Sequence, residues 1–157
     1  MGNAINVFAV DPAADGLALR HQQTVSSFGP GMAHGPEAAA GELVLGPDGH
    51  DVYVSNRLTG DAVDHVARFR VAPACDGKAL RLDFVNQEPC GGVSPRMMSV
   101  TPDGARLLIA NVKGPVGLWV LNRDPANGNM WAAPDWNMTM DAFGGEDAAP
   151  QFVQQVR

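Results

Sequence analysis

The 157-residue sequence has little charge, only two cysteines and no long apolar segment. Charged residues make up 18% of it, and 17 acidic residues against 11 lysines and arginines give a formal net charge of −6. A nucleic-acid surface needs clustered lysine and arginine, so this balance argues against a nucleic-acid partner. Because no apolar run approaches the roughly 18 residues that a membrane span requires, we expect no membrane partner either.

Several motifs that carry chemistry are also missing. No cysteine–histidine cluster has the spacing of a zinc site, and no glycine-rich phosphate loop follows a predicted strand. No Gly-x-Ser-x-Gly nucleophile elbow occurs. The sequence therefore predicts no metal and no cofactor, and it argues against a serine hydrolase.

The sequence is rich in glycine and proline, with 18 and 12 residues, and it contains an internal repeat. This composition is typical of many tight turns and few long helices. A Pro-Asp-Gly turn followed by a strand that closes on asparagine occurs at 47–56 and again 55 residues later at 102–111. A second match, at an offset of 61, aligns 8–20 with 69–81. Repeats of this length are typical of solenoids and propellers.

Each repeat unit predicts four short antiparallel strands. Pro-Asp-Gly supplies turn chemistry between two apolar runs, so Leu43–Leu45 and Val52–Val54 form one predicted hairpin. Val66–Val71 and Leu80–Val85 form the next. Four antiparallel strands that recur every roughly 40 to 60 residues are the signature of a propeller blade. A β-sandwich is the alternative, but it gives no reason for the repeat.

We therefore predict an all-β fold, a partial β-propeller of about two and a half four-stranded antiparallel blades. Residues 3–27 would form a partial blade, 40–89 a full blade, 95–133 a further blade and 151–156 a closing strand. A propeller closes with roughly 4–8 blades. The chain is thus predicted to be the C-terminal part of a longer propeller, or else to self-associate through its open blade edges.

Three segments carry a family resemblance, and the third of them, residues 150–153 (Pro-Gln-Phe-Val), is similar to the final strand of the family described next. Residues 39–57, which run from Ala-Ala-Gly-Glu through Pro-Asp-Gly to Val-Ser-Asn-Arg, resemble the lactonase family of seven-bladed β-propellers, and so do residues 92–111, which begin Gly-Val-Ser-Pro-Arg. That family includes 6-phosphogluconolactonases and carboxy-cis,cis-muconate cyclases. The resemblance implies a lactonase-like hydrolase of a sugar-acid or related lactone. A muconate-cyclase-like lactonising isomerase and a non-catalytic propeller interaction module are the alternatives.

The resemblance also implies site residues. The family's catalytic set is a histidine, a glutamate and several arginines; the glutamate matches Glu42, and arginines match Arg57 and Arg96. The histidine has no counterpart motif in this sequence. We therefore expect this chain alone to have little or no lactonase activity.

The predicted strands bring these three residues to one mouth of the central channel. Glu42 would open an inner strand, Arg96 would open the inner strand of the next blade, and Arg57 would end the strand that returns beside Glu42. Lactone opening needs a base that activates water and a cation that stabilises the developing oxyanion. Glu42 is the candidate base, and the two guanidinium groups suit the carboxylate or phosphate of a small anionic lactone or carboxylate substrate. A structural set of ion pairs between blades is the alternative.

Cys75 and Cys90 are predicted to remain unpaired. The extended segment 79–87 between them would span about 30 Å at roughly 3.3 Å per residue, whereas a disulfide needs Cα atoms within about 7 Å. The N-terminus has neither the basic nor the apolar region of a signal peptide. Free thiols together with this N-terminus predict a cytoplasmic protein.

Overall fold

The computed structural model describes residues 2–13, 15–74, 77 and 79–156. In this part of the chain the regular elements are β-strands and two short 3-10 helices, Met140–Phe143 and Glu146–Ala148. None of its helices is long and apolar enough to cross a membrane. The strands in chain order are β1 (Ala4–Ala13), β2 (Gly16–Ser26), β3 (Ala39–Leu45), β4 (Asp51–Arg57), β5 (His65–Pro73), β6 (Leu80–Pro89), β7 (Val93–Val100), β8 (Arg106–Lys113), β9 (Val116–Arg123), β10 (Met130–Ala132) and β11 (Met138–Thr139).

The strands form three antiparallel sheets in which sequence neighbours pair. The first is the hairpin β1–β2, the second is the meander β3-β4-β5-β6, and the third is β7-β8-β9-β10. The outer strand of the third sheet is interrupted, because β10 pairs with the end of β9 and β11 pairs with its beginning. Repeated four-stranded meanders confirm the predicted partial β-propeller.

The sheet boundaries lie near the predicted blades, except at the C-terminus. The first sheet spans 4–26, the second spans 39–89 and the third extends to Thr139. Residues 151–156, predicted as a closing strand, form no strand in the structure. Phe152 and Val156 are 65% and 85% exposed, so these side chains do not pack against the described sheets, and no apolar contact holds the segment as a strand at a sheet edge. Its link to the third sheet is a hydrogen bond from Ser99 Oγ to the Val153 carbonyl at 2.8 Å.

The hydrophobic core lies between the sheets rather than within any one of them. One cluster joins the second and third sheets, and a smaller cluster joins the first and second. Tyr53 and Met98 belong to the larger cluster, and Ile5 and Phe69 to the smaller one. Each sheet therefore depends on its neighbour for burial, as the blades of a propeller do.

A repeated polar contact accompanies this packing. Asn56 Nδ2 donates to the Ser27 carbonyl at 2.8 Å, and Asn111 Nδ2 donates to the Cys90 carbonyl at 2.9 Å. The two asparagines are the equivalent residues of the 55-residue repeat, and both are fully buried. In each case the second strand of one sheet is tied to the end of the preceding sheet.

Candidate functional site

The innermost strands β3 and β7 carry β-bulges at equivalent positions. In β3 the register breaks between Ala40 and Leu43, so that Gly41 and Glu42 together face Ser55 of β4. In β7 it breaks between Pro95 and Met97, and Arg96 is the inserted residue. A bulge re-aims side chains and is frequent next to active sites. Glu42 and Arg96 are therefore bulge residues and do not open their strands as predicted, because β3 already begins at Ala39 and β7 at Val93.

Ser55 joins the two bulges across the sheet boundary. Its buried hydroxyl accepts a hydrogen bond from Glu42 N at 2.9 Å and donates one to the Pro95 carbonyl at 3.1 Å. A Cβ at Gly41 would come within 2.5 Å of this hydroxyl and 2.8 Å of the Pro95 carbonyl, so the approach of the two strands requires glycine here. The backbone thus holds Glu42 beside the residue that precedes Arg96.

Arg57 lies at the same rim, two residues beyond Ser55. It is the last residue of β4 and pairs with Ala39, the first residue of β3. Its side chain is half-buried, and its Nε is buried with no hydrogen-bond partner. The Oδ1 of the adjacent Asn56 is also buried and unpartnered. Buried polar atoms without protein partners are places where a water or a polar ligand group binds.

The charges at this rim are not neutralised by one another. Within the described residues no ion pair involves Glu42, Arg57 or Arg96. Glu42 is half-buried and Arg96 is exposed. The structure therefore brings the backbones of all three predicted residues to one rim, but it does not show the ion-pair set that was the alternative interpretation.

A buried charge network does occur, at the opposite ends of the strands. Arg68 Nε donates to Asp51 Oδ1 at 2.8 Å, and Arg123 hydrogen-bonds to the Tyr53 hydroxyl at 2.6 Å and to Asp48. Burial by itself would lower the pKa of Arg123, but the bonds to Asp48 and Tyr53 raise it. Because its donors and acceptors are largely satisfied between the second and third sheets, this network stabilises the fold.

His65 is the histidine that sequence reasoning passed over at this rim. It begins β5 directly opposite Asn56, and its Nδ1 lies 3.8 Å from Asp61 Oδ2. The motif around it gave no signal, because its position at the rim arises only from the pairing of β4 with β5. His50 follows the turn at the other ends of these strands, and His34 stacks on Phe28 in the loop before β3.

The cysteines and the possible metal-binding side chains do not form a second candidate site within the described residues. Burial raises the pKa of the Cys90 thiol to about 12, so this free cysteine is not a nucleophile near neutral pH. Cys75 lies outside the described residues. Across those residues no group of three or more histidine, cysteine, aspartate or glutamate side chains is placed to hold a metal ion.

The fold defines the class, a partial β-propeller, and one rim of it carries a carboxylate and a guanidinium group on the bulges of β3 and β7 and a second guanidinium group at the end of β4. Residues 1–134 match the family model described as lactonase, 7-bladed beta-propeller. The chain therefore belongs to the lactonase family of seven-bladed β-propellers.

Individual relatives agree with this assignment. The chain is similar to a candidate 6-phosphogluconolactonase of Arthroderma benhamiae, with 29% identity over 146 residues that cover 90% of this chain and 34% of the relative. A solved structure of a candidate 6-phosphogluconolactonase from Bacteroides fragilis superposes with a TM-score of 0.66 at 31% identity, over 88% of this chain and 33% of that one. The periplasmic gluconolactonase of Pseudomonas aeruginosa gives 0.65 at 30% identity, over 82% and 32%. The chain spans about a third of the length of these relatives.

Proposed function

We propose that this chain provides part of the active site of a lactonase-like hydrolase that acts on a sugar-acid lactone. The observation that carries the proposal is that the backbones of Glu42, Arg57 and Arg96 lie at one rim of adjoining strands, with no ion pair among the three side chains. The names of the relatives, candidate 6-phosphogluconolactonases and a gluconolactonase, support this substrate class. The cytoplasm remains the proposed compartment, and the free thiol of Cys90 fits it.

The chemistry follows from the two kinds of charge. Glu42 would accept a proton from a water molecule whose oxygen then bonds to the lactone carbonyl carbon. The negative charge that develops on the carbonyl oxygen would be stabilised by a guanidinium group. The ring C–O bond breaks, and the proton passes to the former ring oxygen to give the open hydroxy acid. The second guanidinium would bind the substrate phosphate or the product carboxylate.

The test is binding of the open-chain products, 6-phosphogluconate and gluconate, to the chain followed by NMR titration. We expect Arg57→Gln and Arg96→Gln each to raise the dissociation constant for 6-phosphogluconate about tenfold or more, since a hydrogen bond to a charged group contributes about 1.5–3 kcal/mol. Arg20→Gln is the matched control, because Arg20 lies on β2 and pairs with Asp11. It should change the constant less than about twofold.

Two outcomes would count against the proposal. One is that the wild-type chain binds neither acid. The other is that the two rim variants bind 6-phosphogluconate as well as the Arg20→Gln control does. Hydrolysis of gluconolactone by this chain at an ordinary enzyme rate would separately contradict the expectation that further blades, with a histidine, complete the site.

A role in self-association is the second candidate function, and the unpaired edge of β1 in the β1–β2 hairpin favours it. Within the described chain β1 pairs only with β2, and the cross-strand neighbours Val10 and Leu19 are 57% and 67% exposed. An unpaired apolar edge is a template for pairing with another strand. We propose that a second copy of the chain covers it.

Sedimentation velocity over a range of concentrations tests this second candidate. The wild-type chain should form dimers or larger species, and the double substitution Val10→Lys with Leu19→Lys should shift it to the monomer. Val156→Lys is the control, because Val156 is 85% exposed in the C-terminal segment. A wild-type chain that stays monomeric throughout would exclude the role.

A further inference from the structure

Two strained backbone positions flank the candidate arginines. Among the residues that the structure describes, the two other than glycine with a positive φ are Leu58 at +56° and Ser94 at +59°. Leu58 follows Arg57 directly, and Ser94 precedes Arg96 by two residues. Residues with a Cβ seldom adopt this conformation, and it persists only where the surroundings enforce it. Strain of this kind clusters at functional sites.

One carboxylate holds both positions. Asp64 Oδ2 accepts hydrogen bonds from Leu58 N at 2.9 Å and from Ser94 N at 2.7 Å. Its Oδ1 accepts from Thr59 N at 2.9 Å and from the Thr59 hydroxyl at 2.7 Å. Asp64 is fully buried. Three of its four donors lie in the segment after β4, and the fourth, Ser94 N, lies at the start of β7.

The backbone of Asp64 is itself fixed. Its N–H donates to the Gly92 carbonyl at 3.0 Å, and its carbonyl accepts from Cys90 N at 2.8 Å. Gly92 immediately precedes β7 and Cys90 immediately follows β6. The backbone of Asp64 therefore cannot shift without moving the connection between the second and third sheets.

In the preceding repeat unit, an asparagine side chain makes the corresponding contact between two sheets. Asn3 stands 61 residues before Asp64, and its side chain accepts from Ala40 N at 3.1 Å and donates to the Ala38 carbonyl at 3.0 Å. An amide thus suffices to tie a strand to the next sheet. In the later unit the counterpart of Ala40 is Pro95, which has no N–H, and the carboxylate takes the N–H of the strained Ser94 instead.

We propose that Asp64 is a positioning residue: it holds Leu58 and Ser94 in their strained conformations and so sets the placement of Arg57 and Arg96. This inference rests on the proposed function of those two arginines as an anion site. An ionised carboxylate only accepts, and it satisfies all four donors here; an asparagine has one acceptor oxygen and an amide group that donates. In Asp64→Asn the amide oxygen replaces only one carboxylate oxygen, so the amide group faces either Thr59 N or the two strained N–H groups. In both cases an N–H of the Leu58–Thr59 segment loses its acceptor and the adjacent Arg57 shifts. Loss of the negative charge also weakens the hydrogen bond that holds Ser94 beside Arg96.

The experiment is an NMR titration of the full chain with 6-phosphogluconate and with inorganic phosphate. We expect Asp64→Asn to raise the dissociation constant for both ligands at least tenfold, measured on the signals of the folded protein. The HN–Hα couplings of Leu58 and Ser94 and the Arg57 and Arg96 Nε–Hε signals should move even without ligand. Asp103→Asn is the control, since Asp103 accepts from Ala105 N in the turn at the opposite strand ends. It should leave the dissociation constants within about twofold.

Glycine substitutions keep the test valid if Asp64→Asn folds poorly. Leu58→Gly and Ser94→Gly are introduced into the Asp64→Asn background. Because glycine adopts positive φ readily, these positions can then keep their conformation without the carboxylate. They should restore part of the affinity. Unchanged affinity and unchanged arginine signals in Asp64→Asn would overturn the inference. A wild-type chain that binds no anion would instead overturn the proposed function, while the ligand-free arginine signals would still decide whether Asp64 positions them.

Discussion

Replacing Asp51 with asparagine is expected to lower the free energy of unfolding by about 3–5 kcal/mol, the usual cost of breaking a buried ion pair by removing one partner. Asp51 is 1% exposed and accepts from Arg68 Nε at 2.8 Å and from Arg70 Nε at 3.3 Å. Arg68 is fully buried, so Asp51→Asn leaves its guanidinium without a countercharge. Denaturant unfolding with a constant m-value measures the change.

An exposed ion pair provides the control for this substitution. Asp11 and Arg20 pair at 3.1 Å, with side chains 48% and 59% exposed. Because water screens such a pair, Asp11→Asn should change the free energy of unfolding by less than about 1 kcal/mol. A similar small change for Asp51→Asn would mean that the buried network contributes little to the joint between the second and third sheets.

The second large effect is expected from Gly91→Ala, in the connection between β6 and β7. Gly91 has φ of +73°, and a Cβ there would overlap the ring of Trp119. A positive φ costs an alanine roughly 1–2 kcal/mol. Overpacking of a well-packed contact adds roughly 1–3 kcal/mol. We therefore expect a loss of about 3 kcal/mol in denaturant unfolding.

Gly49→Ala separates these two contributions. Gly49 has the same φ of +73°, in the Pro-Asp-Gly turn between β3 and β4, but a Cβ there would meet nothing within 4 Å. It should therefore show the backbone cost alone. Equal losses for the two variants would mean that Trp119 moves away without cost and that the contact at Gly91 is not tight.

The sequence predicts the parts of this fold that depend on local chemistry. The Pro-Asp-Gly turns at 47–49 and 102–104 are where the hairpins reverse, and Gly49 and Gly104 have the positive φ that such turns use. The repeat correctly indicates four-stranded sheets in succession. The closing strand at 151–156 follows from a few apolar residues and from the resemblance of 150–153 to the family's final strand, but none of the described sheet edges buries these residues.

The candidate site was only partly predictable, because part of it depends on strand register and on contacts between residues that are distant in the sequence. Glu42, Arg57 and Arg96 follow from the resemblance and the strand order. The bulges that hold Glu42 and Arg96 leave no sequence signal beyond Gly41, because they arise from the register between paired strands. Asp64 gave no signal at all, since its donors come from segments up to 30 residues away that only the packed sheets bring together.

The asparagine contacts at Asn56 and Asn111 bear on the order in which the sheets open when the fold is destabilised. Each ties a sheet only to the one before it, and the two core clusters follow the same pattern. Stability in such a molecule behaves as in a one-dimensional array, where each unit adds its own term and one coupling term per neighbour. Within the described chain, the β1–β2 hairpin is coupled to its neighbour by the smaller of the two core clusters, whereas the second and third sheets share the larger one. Local opening should therefore begin there, and the rim between the second and third sheets should be the last region to loosen.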